Sequence, residues 1–202
     1  MRKGKIVREI VGILLTIVVI FTIVFGLNLT VFTTATVNQI SMRNTLIEGD
    51  IVYYNRFANK PHEFARGDIV LFLAGGKEYH GIWDAIGVKL TDLRDSLTGR
   101  DKFTNERYVK RIIGLPGDII EIDDDGKVYV NGEIENKAYV LGKTSKGNME
   151  YPLTVPDNHF FVMGDNREMS KDSRHFGCVS IHSFEGKASF IIWPPSKVKK
   201  IK

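Results

Sequence analysis

Ser41 and Lys110 are the residues of this sequence whose types suit nucleophilic catalysis. Ser41 lies in the segment SMRNTL and Lys110 in the segment YVKRII. A serine hydroxyl attacks a carbonyl carbon only when a base removes its proton, and a lysine can be that base only while its amine is neutral. The pKa of a free lysine is near 10.4, so it must fall by several units, which burial among apolar groups can cause.

The neighbours of Lys110 offer such a setting, because Tyr108 and Ile112 share its face in an extended strand. Arg111 lies on the opposite face of the same strand. An alternative stays open, since a lysine in a strand is more often a solvated edge residue. The local sequence alone therefore assigns no role to Lys110.

A further polar segment, GDNREMSKDSRHFG, covers residues 164–177 and follows an apolar run typical of a strand. It contains the hydroxyl of Ser170, the carboxylate of Asp172 and the guanidinium of Arg174. Groups of this kind can hold a lysine amine by hydrogen bonds and pin a loop through an arginine–carboxylate pair. The alternative is a loop that is hydrogen-bonded only to itself and has no further role.

The scaffold for these segments begins with an uncharged apolar stretch, IVGILLTIVVIFTIVFGLNLTVF, at residues 10–32. About 20 such residues cross a hydrocarbon core, so the stretch predicts a transmembrane helix. The basic residues before it predict that residues 1–9 are cytoplasmic and that residues 33–202 lie outside the cytoplasm, anchored to the cell membrane. A cleaved secretory signal is the alternative, but the stretch is long for one and lacks a small-x-small site at its end.

The positive charge of the chain lies at its ends. Eight of the 28 basic residues and one of the 24 acidic residues lie within residues 1–9 and 197–202, which leaves 20 against 23 and a formal charge of −3 for the body. We therefore expect no nucleic acid partner. The single cysteine, Cys178, excludes an intramolecular disulfide and a multi-thiolate metal site. No metal or organic cofactor is expected.

Residues 33–202 are predicted to form mainly β-strands separated by short turns. The runs IVYYNRF, DIVLFL and RYVKRII have the β-branched and aromatic composition of strands. Asp125-Gly126 lies between two apolar runs and predicts a two-residue hairpin turn, and Asn131-Gly132 repeats that signal. The predicted fold class is mainly β, built on an antiparallel sheet.

Residues 74–106 interrupt this pattern with one predicted amphipathic helix. Apolar residues recur there at steps of three and four: Ile82, Ile86, Leu90, Leu93 and Leu97. This spacing places them on one face of a helix. Two interpretations are open, a lid or cap on the strand body and a helix that fills the core.

The anchor and the three polar segments together resemble the motifs of bacterial type I signal peptidases. The serine box of that family is approximated by SMRNTL, its lysine box by YVKRIIGLPGD and its third box by GDNREMSKDSRHFG. The resemblance covers essentially the whole chain. It implies the family's distorted antiparallel β-sheet or β-barrel catalytic domain, here with one amino-terminal transmembrane helix and a helical insert.

The resemblance also implies roles for individual residues. Ser41 is the expected nucleophile and Lys110 the expected general base. Ser170 is expected to orient the lysine amine, and Asp172 to form a supporting ion pair with Arg174. Met42 is expected to line the substrate groove. Three residues of the third box are expected to be structural: Asp165, Asn166 and Arg167.

Two positions depart from the family's pattern. Asn44 stands where the serine box usually has proline, which would preset the backbone φ angle after the nucleophile. Gln39 stands where many members have a small residue that shapes the oxyanion hole. Its amide could donate to a developing oxyanion, or its bulk could obstruct the pocket.

The expected activity is hydrolysis of the peptide bond after a small-x-small sequence in the signal peptide of an exported preprotein. The expected partners are such signal peptides and the lipid bilayer. The altered serine box and the insert resemble specialised members that process pilus or surface proteins, so pilus subunits are candidate substrates. One alternative is a noncatalytic membrane-anchored accessory or chaperone protein for pilus assembly. A self-cleaving regulator is another, with less support because no DNA-binding module precedes the domain.

Overall fold

The computed structural model describes residues 2–57, 60–99, 104–136 and 138–201. Three α-helices occur in this part of the chain: α1 (Arg2–Thr30), α2 (Ile82–Leu97) and α3 (Ser173–Phe176). Short 3₁₀ turns cover Ile40–Met42, Pro61–Glu63, Ile181–Ser183 and Pro195–Lys197. Twelve strands make up the remaining regular structure: β1 (Phe32–Thr36), β2 (Ile51–Asn55), β3 (Ile69–Leu73), β4 (Arg107–Gly114), β5 (Ile119–Ile122), β6 (Val128–Val130), β7 (Glu133–Ile134), β8 (Leu153–Thr154), β9 (His159–Met163), β10 (Val179–Ser180), β11 (Phe184–Trp193) and β12 (Lys199–Lys200).

Helix α1 contains a segment, Gly4–Leu27, that is long and apolar enough to cross a membrane. None of that segment is buried against the rest of the chain. The hydroxyl groups of its threonines form hydrogen bonds within the helix. Thr16 and Thr22 each donate to the carbonyl oxygen four residues earlier, at 2.9 and 2.8 Å. In lipid such internal pairing removes the cost of an unbonded polar group. The helix begins earlier than the apolar stretch at residues 10–32, and β1 starts at Phe32, the last residue of that stretch.

The strands form two antiparallel sheets, as the fold class predicts. The large sheet has eight strands in the order β1-β2-β11-β3-β4-β9-β10, with β12 on β11. The small sheet has the order β7-β6-β5-β8. The predicted strand runs IVYYNRF, DIVLFL and RYVKRII correspond to β2, β3 and β4. Helix α2 lies between β3 and β4, so the insert leaves the large sheet and returns to it.

The two predicted hairpins are present, but only one has a two-residue turn. Asn131 and Gly132 both have positive φ angles, 53° and 81°, and join Val130 to its partner Glu133. This is the backbone that a tight primed turn requires. The prediction of a two-residue turn at Asp125-Gly126 is wrong. The paired residues Ile122 and Val128 are joined by residues 123–127, because the Asp123 carboxylate accepts the Lys127 N–H at 2.7 Å and stabilises a longer loop.

The hydrophobic core has three clusters. One lies under the chain segment that contains Ser41 and is built from Met42, Leu46, Val52 and neighbours on β3 and β11. A second fills the other face of the large sheet around Phe72 and Phe160. The third joins the two sheets, and its members are Ile113, Ile120, Ile122, Val128, Val130, Val155, Phe161 and Met163.

Helix α2 has the predicted position, but its apolar side does not face the core. Leu90, Leu93 and Leu97 are 54, 50 and 79 % exposed, whereas the Asp95 side of the helix is buried. The interpretation of a core-filling helix is therefore wrong. Sequence periodicity shows which residues share a face, but not what that face contacts.

Candidate active site

Ser41 is the middle residue of the 3₁₀ turn Ile40–Met42, shortly after β1. Gln39 precedes the turn in extended conformation, and Arg43 N–H closes it on the Ile40 carbonyl oxygen at 3.1 Å. Met42 is 1 % exposed and packs into the cluster below. Burial of this side chain anchors the turn that contains Ser41 on the core.

Lys110 reaches this turn from β4. Its Nζ atom lies 2.7 Å from Ser41 Oγ, although the two residues are 69 positions apart. The same amine donates to the Val109 carbonyl oxygen at 3.1 Å and lies 5.2 Å from the centre of the Tyr108 ring. Lys110 is 1 % exposed. The strand is therefore not an edge that solvates this lysine.

Burial lowers the pKa of Lys110 to about 8. The negative charges of Asp172 and Asp165 oppose this effect and raise the pKa, while the charge of Arg174 lowers it. At pH 7 an amine with this pKa is neutral in about a tenth of the molecules, against fewer than about one in a thousand for a free lysine. The site thus supplies a base at neutral pH.

Asp172 and Arg174 form a fully buried pair. Two parallel hydrogen bonds, both 2.8 Å, join the guanidinium to the two carboxylate oxygens. Asp172 also accepts the Gly164 N–H at 3.0 Å and caps α3. Burial alone would raise the pKa of Asp172, but the bonds and charge of Arg174, with the other donors, lower it below the usual value. The pair ties α3 to the end of β9.

Ser170 lies against Gly164 in the same loop. A Cβ atom on Gly164 would stand 2.2 Å from Ser170 Oγ and 2.6 Å from the Ser41 carbonyl oxygen. The Ser170 hydroxyl is buried and has no partner of good hydrogen-bond geometry among the described residues, although it contributes to lowering the pKa of Asp172. Only glycine permits this close approach of three chain segments.

A second buried ion pair holds the turn after Ser41. Arg111 makes two hydrogen bonds, 2.8 and 2.7 Å, to the Asp165 carboxylate, which also accepts from the Thr45 hydroxyl. Sequence reasoning missed the roles of Arg111 and Thr45. The alternation of β4 carried a signal, since an arginine on the face of Val109 and Ile113 needs a buried carboxylate partner.

Asn166 contacts the same turn directly. Its backbone N–H donates to the Ser41 carbonyl oxygen at 3.0 Å, and its side-chain amide donates to the Ile40 carbonyl oxygen at 3.2 Å. The Ser41 N–H itself has no hydrogen-bond partner among the described residues. The loop therefore fixes the carbonyl side of the Ser41 peptide and leaves that N–H available to a ligand.

A cleft of about 570 Å³ opens beside Ser41. Met42 lies in its floor, and the exposed Gln39 lies at its rim near Ser41. Gln39 also borders a second depression of about 430 Å³, which reaches both Ser41 and Lys110. The first cleft has these walls: Thr33, Thr34, Ala35, Thr36, Val37 and Asn38 from β1 and its extension, Leu71 from β3, Asn105 and Glu106 just before β4, Arg107 and Val109 from β4, and Lys89 and Asp92 from α2.

The structure thus brings together all residues that the sequence proposed for the site, with one difference. Lys110 contacts Ser41 directly, while Ser170 makes no hydrogen bond to the Lys110 amine. At the departure from the family's serine box, Asn44 has a φ angle of +103°, which proline cannot adopt. Within the described part of the chain, no group of three His, Cys, Asp or Glu side chains is arranged to hold a metal ion.

The chain matches the protein family described as "Signal peptidase, peptidase S26" over residues 10–193. It is 29 % identical to signal peptidase IB of Staphylococcus aureus strain COL over 95 % of this chain and 94 % of that protein. It is 39 % identical to signal peptidase I of Bacillus amyloliquefaciens over 107 residues, 48 % of this chain and 57 % of that protein.

Among solved structures, a signal peptidase I from Enterococcus faecalis V583 matches 61 % of this chain and 94 % of its own chain, at 29 % identity and a TM-score of 0.39. The family match covers most of the chain, including β1 to β11 and every residue of the site described above. The resemblance inferred from the three motifs is confirmed. The chain belongs to the signal peptidase family, peptidase S26, as a bacterial type I signal peptidase, a membrane serine endopeptidase that cleaves signal peptides.

Proposed function

We propose that Ser41 and Lys110 are the catalytic dyad with which this signal peptidase hydrolyses its substrates. The observation that carries the proposal is the 2.7 Å contact between Lys110 Nζ and Ser41 Oγ at a site where burial lowers the pKa of the amine to about 8. A neutral amine at this distance accepts the hydroxyl proton as the oxygen attacks.

The reaction has two stages. In the first, Ser41 Oγ bonds to the carbonyl carbon before the scissile bond, and its proton passes to Lys110. The resulting ammonium gives that proton to the departing amine, which leaves an ester on Ser41. In the second, Lys110 takes a proton from water, the hydroxide attacks the ester, and Ser41 regains its proton.

The oxyanion that forms in each stage needs hydrogen-bond donors. We assign this role to the Ser41 N–H, which has no partner among the described residues. The Gln39 side chain is the neighbouring candidate, because it is exposed and borders both depressions that meet at Ser41. Losing one such donor lowers the rate by about a hundredfold to a thousandfold in other proteases.

Ser170, Asp172 and Arg174 are proposed to act through Lys110. The buried ion pair holds the loop in place, and the buried Ser170 hydroxyl of this loop is proposed to accept a hydrogen bond from the amine during the reaction. The same hydroxyl contributes to lowering the pKa of Asp172, so it lies beside the carboxylate of this pair.

We also propose that residues 1–9 are cytoplasmic and that residues 33–202 form the extracytoplasmic catalytic domain, with its insert at residues 74–106. The basic residues before the apolar span support this orientation. The anchor raises the effective concentration of enzyme near a substrate whose own apolar segment lies in the same bilayer.

A narrowed substrate range is proposed from Gln39, Asn44 and the insert, with pilus subunits as the candidate class. Parallel cleavage assays on pilus-subunit preproteins and on other exported preproteins test it. A preference of about tenfold or more for pilus subunits in kcat/KM supports specialisation, and equal values exclude it. The noncatalytic alternative loses support because the Ser41–Lys110 contact is intact.

Trapping of the acyl-enzyme tests the proposed chemistry. The purified full chain is mixed with a signal-peptide ester, and the reaction is quenched in acid. The protein is then digested, and the masses of its peptides are measured by mass spectrometry. The expected acyl group lies on the peptide that contains Ser41 and is absent from the Ser41→Ala variant. An adduct on another residue, or turnover by Ser41→Ala, rejects Ser41 as the nucleophile.

A further inference from the structure

Helix α2 is amphipathic, but its apolar side faces away from the domain. A helix that packs on a soluble domain normally directs its apolar side toward the core. Most of the large apolar residues of α2 share one stripe that faces outward, and the exposed fractions of Trp83, Leu90 and Leu97 are 80, 54 and 79 %, while Ile86 is half-buried. Ile82 and Leu93 extend the stripe and are 56 and 50 % exposed. A stripe of this kind normally faces a core. Here no described residue covers it.

Polar contacts fix this orientation from the inner side. Arg107 on β4 pairs with Asp92 of α2 at 2.7 Å, and Asn105 donates to the same carboxylate at 3.1 Å. The fully buried Asp95 accepts the Thr104 N–H at 2.7 Å. Rolling the helix to bury its apolar stripe would break all of these contacts, so the outward stripe is built into the fold.

The membrane anchor ends close to this helix. Lys89 of α2 contacts the hydroxyl of Thr33 at 3.3 Å, and Thr33 is three residues after the last residue of α1. Three extended residues span about 10 Å. At the same end of the sheet, Phe57 is 63 % exposed, and Arg56 N–H bonds to the Val31 carbonyl oxygen at 3.0 Å. Exposed apolar groups therefore collect where the chain leaves the membrane.

We propose that α2 is an interfacial helix whose outer stripe lies in the surface of the lipid bilayer. Its 16 residues include five charged side chains, and it is about 24 Å long, so it cannot cross a membrane. Tryptophan favours the headgroup region, and Arg94 beside the stripe can extend to phosphate groups. The fixed orientation and the nearby anchor favour lipid over a second copy of the chain as the group that covers the stripe.

The lipid contact of α2 has one consequence for catalysis, and this consequence rests on the proposed function of Ser41. The inner face of α2 contributes Lys89 and Asp92 to the cleft that contains Ser41. One helix then contacts lipid on its outer side and walls the cleft on its inner side. The cleft mouth lies at the level of the headgroups, where the peptide bond after a signal peptide's apolar segment leaves the bilayer.

Fluorescence of Trp83 tests the lipid contact without requiring catalysis. The chain has two tryptophans, so Trp193→Phe leaves Trp83 as the single emitter. The full chain is reconstituted into vesicles of phosphatidylcholine and phosphatidylglycerol at 3:1, with and without phosphatidylcholine brominated near the middle of the acyl chain. We expect blue-shifted emission and at least about twofold quenching by the brominated lipid.

A matched control places the emitter on the far hairpin. The triple variant Trp83→Phe, Trp193→Phe and Asp125→Trp should emit as in water and resist quenching, since Asp125 is exposed at 79 % of its side chain. Water-like, unquenched emission from Trp83 overturns the proposal. A blue shift that depends on protein concentration and is not quenched also overturns it, because a second copy then covers the stripe.

Activity supplies an independent readout. Leu90→Glu with Leu97→Glu changes two exposed positions and should leave folding and cleavage of a short soluble peptide unchanged. Cleavage of a preprotein embedded in the same vesicles should fall by about tenfold, and an unchanged value contradicts the proposal. Quenching of Trp83 that persists in Ser41→Ala is expected whether or not Ser41 is the nucleophile, so the two proposals can fail separately.

Discussion

Asn166 donates its backbone N–H to the carbonyl oxygen of Ser41 at 3.0 Å. The third polar segment is therefore bonded to the peptide group of the proposed nucleophile itself. The side chain of Asn166 adds a bond to Ile40, and the preceding Asp165 binds Arg111, the strand neighbour of Lys110. One loop therefore binds both the turn that contains Ser41 and the strand that contains Lys110. This loop sets the distance between the proposed nucleophile and the proposed base.

Gly164→Ala tests this coupling. The added Cβ would stand 2.6 Å from the Ser41 carbonyl oxygen, so either the loop or the turn must move. A displacement of about 1 Å costs about a hundredfold in rate, and we expect kcat to fall by at least that factor. Gly87→Ala is the matched control, because its Cβ meets open space and alanine favours a helix. Equal kcat values for the two variants would show that the close approach has no catalytic importance.

The pH dependence of cleavage should follow the titration of Lys110. The base must be neutral, and burial lowers the pKa of its amine to about 8. Activity should therefore rise about tenfold per pH unit below pH 8 and level off above it. Measurement of kcat/KM from pH 5.5 to 10 with a soluble peptide checks the profile. A value of kcat/KM that keeps rising until about pH 10.4 would indicate a solvated lysine.

The Asp172–Arg174 pair should contribute strongly to stability. Arg174→Ala leaves a buried carboxylate without its partner, and we expect a loss of about 3–5 kcal/mol in the free energy of unfolding. Lys146→Ala breaks an exposed pair with Asp124 and should have no measurable effect. Denaturant unfolding of both variants in the same detergent measures the difference. Similar midpoints for the two would argue against a supporting role for the pair.

The same pair predicts a loss of stability in acid. The folded-state pKa of Asp172 lies below its unfolded value, so its contribution is present above the unfolded pKa of about 3.9 and is lost as pH falls through the folded pKa. Unfolding midpoints from pH 6 to 2 should fall less steeply in Asp172→Asn than in the unaltered chain. Parallel curves would mean that Asp172 has the same pKa in both states.

Proline at position 44 should be unfavourable in this chain, although the family's serine box usually has proline there. Its φ angle of +103° excludes proline, whereas glycine adopts it readily. Asn44→Pro should lower the unfolding midpoint and kcat together, while Asn44→Gly should change both only slightly, through the lost bond to the Tyr139 carbonyl oxygen. A fully active and stable Asn44→Pro chain would mean that the turn after Ser41 adopts another backbone.

Much of the fold could be predicted from local composition. The strands β2, β3 and β4 are rich in β-branched and aromatic residues, a composition typical of strands, and every residue of β3 is buried. The pairing of Ser41 with Lys110 could not be predicted in that way, since 69 positions separate them. The pairing is predicted only from the order of three motifs and their likeness to one family.

Other features depend on contacts that the sequence does not reveal. The period of α2 indicates its apolar stripe but not the direction that the stripe faces, because Arg107 and Thr104, which bind Asp92 and Asp95, lie outside the helix and have no local pattern. The loop at residues 123–127 is longer than two residues because one aspartate side chain bonds back to the main chain. Helix and turn signals describe local geometry, and distant hydrogen bonds decide between the remaining options.

The most direct measurement of the central claim is the rate of signal-peptide cleavage by Lys110→Met beside that of Ser41→Ala. Methionine fills the buried site without an amine, and Lys127→Met in the loop at residues 123–127 is the control, since that side chain is 44 % exposed. We predict that both site variants fold and lose more than about a thousandfold in kcat, while the control keeps its full rate. A folded Lys110→Met chain that cleaves at the rate of the unaltered chain would contradict the assignment of Lys110 as the base.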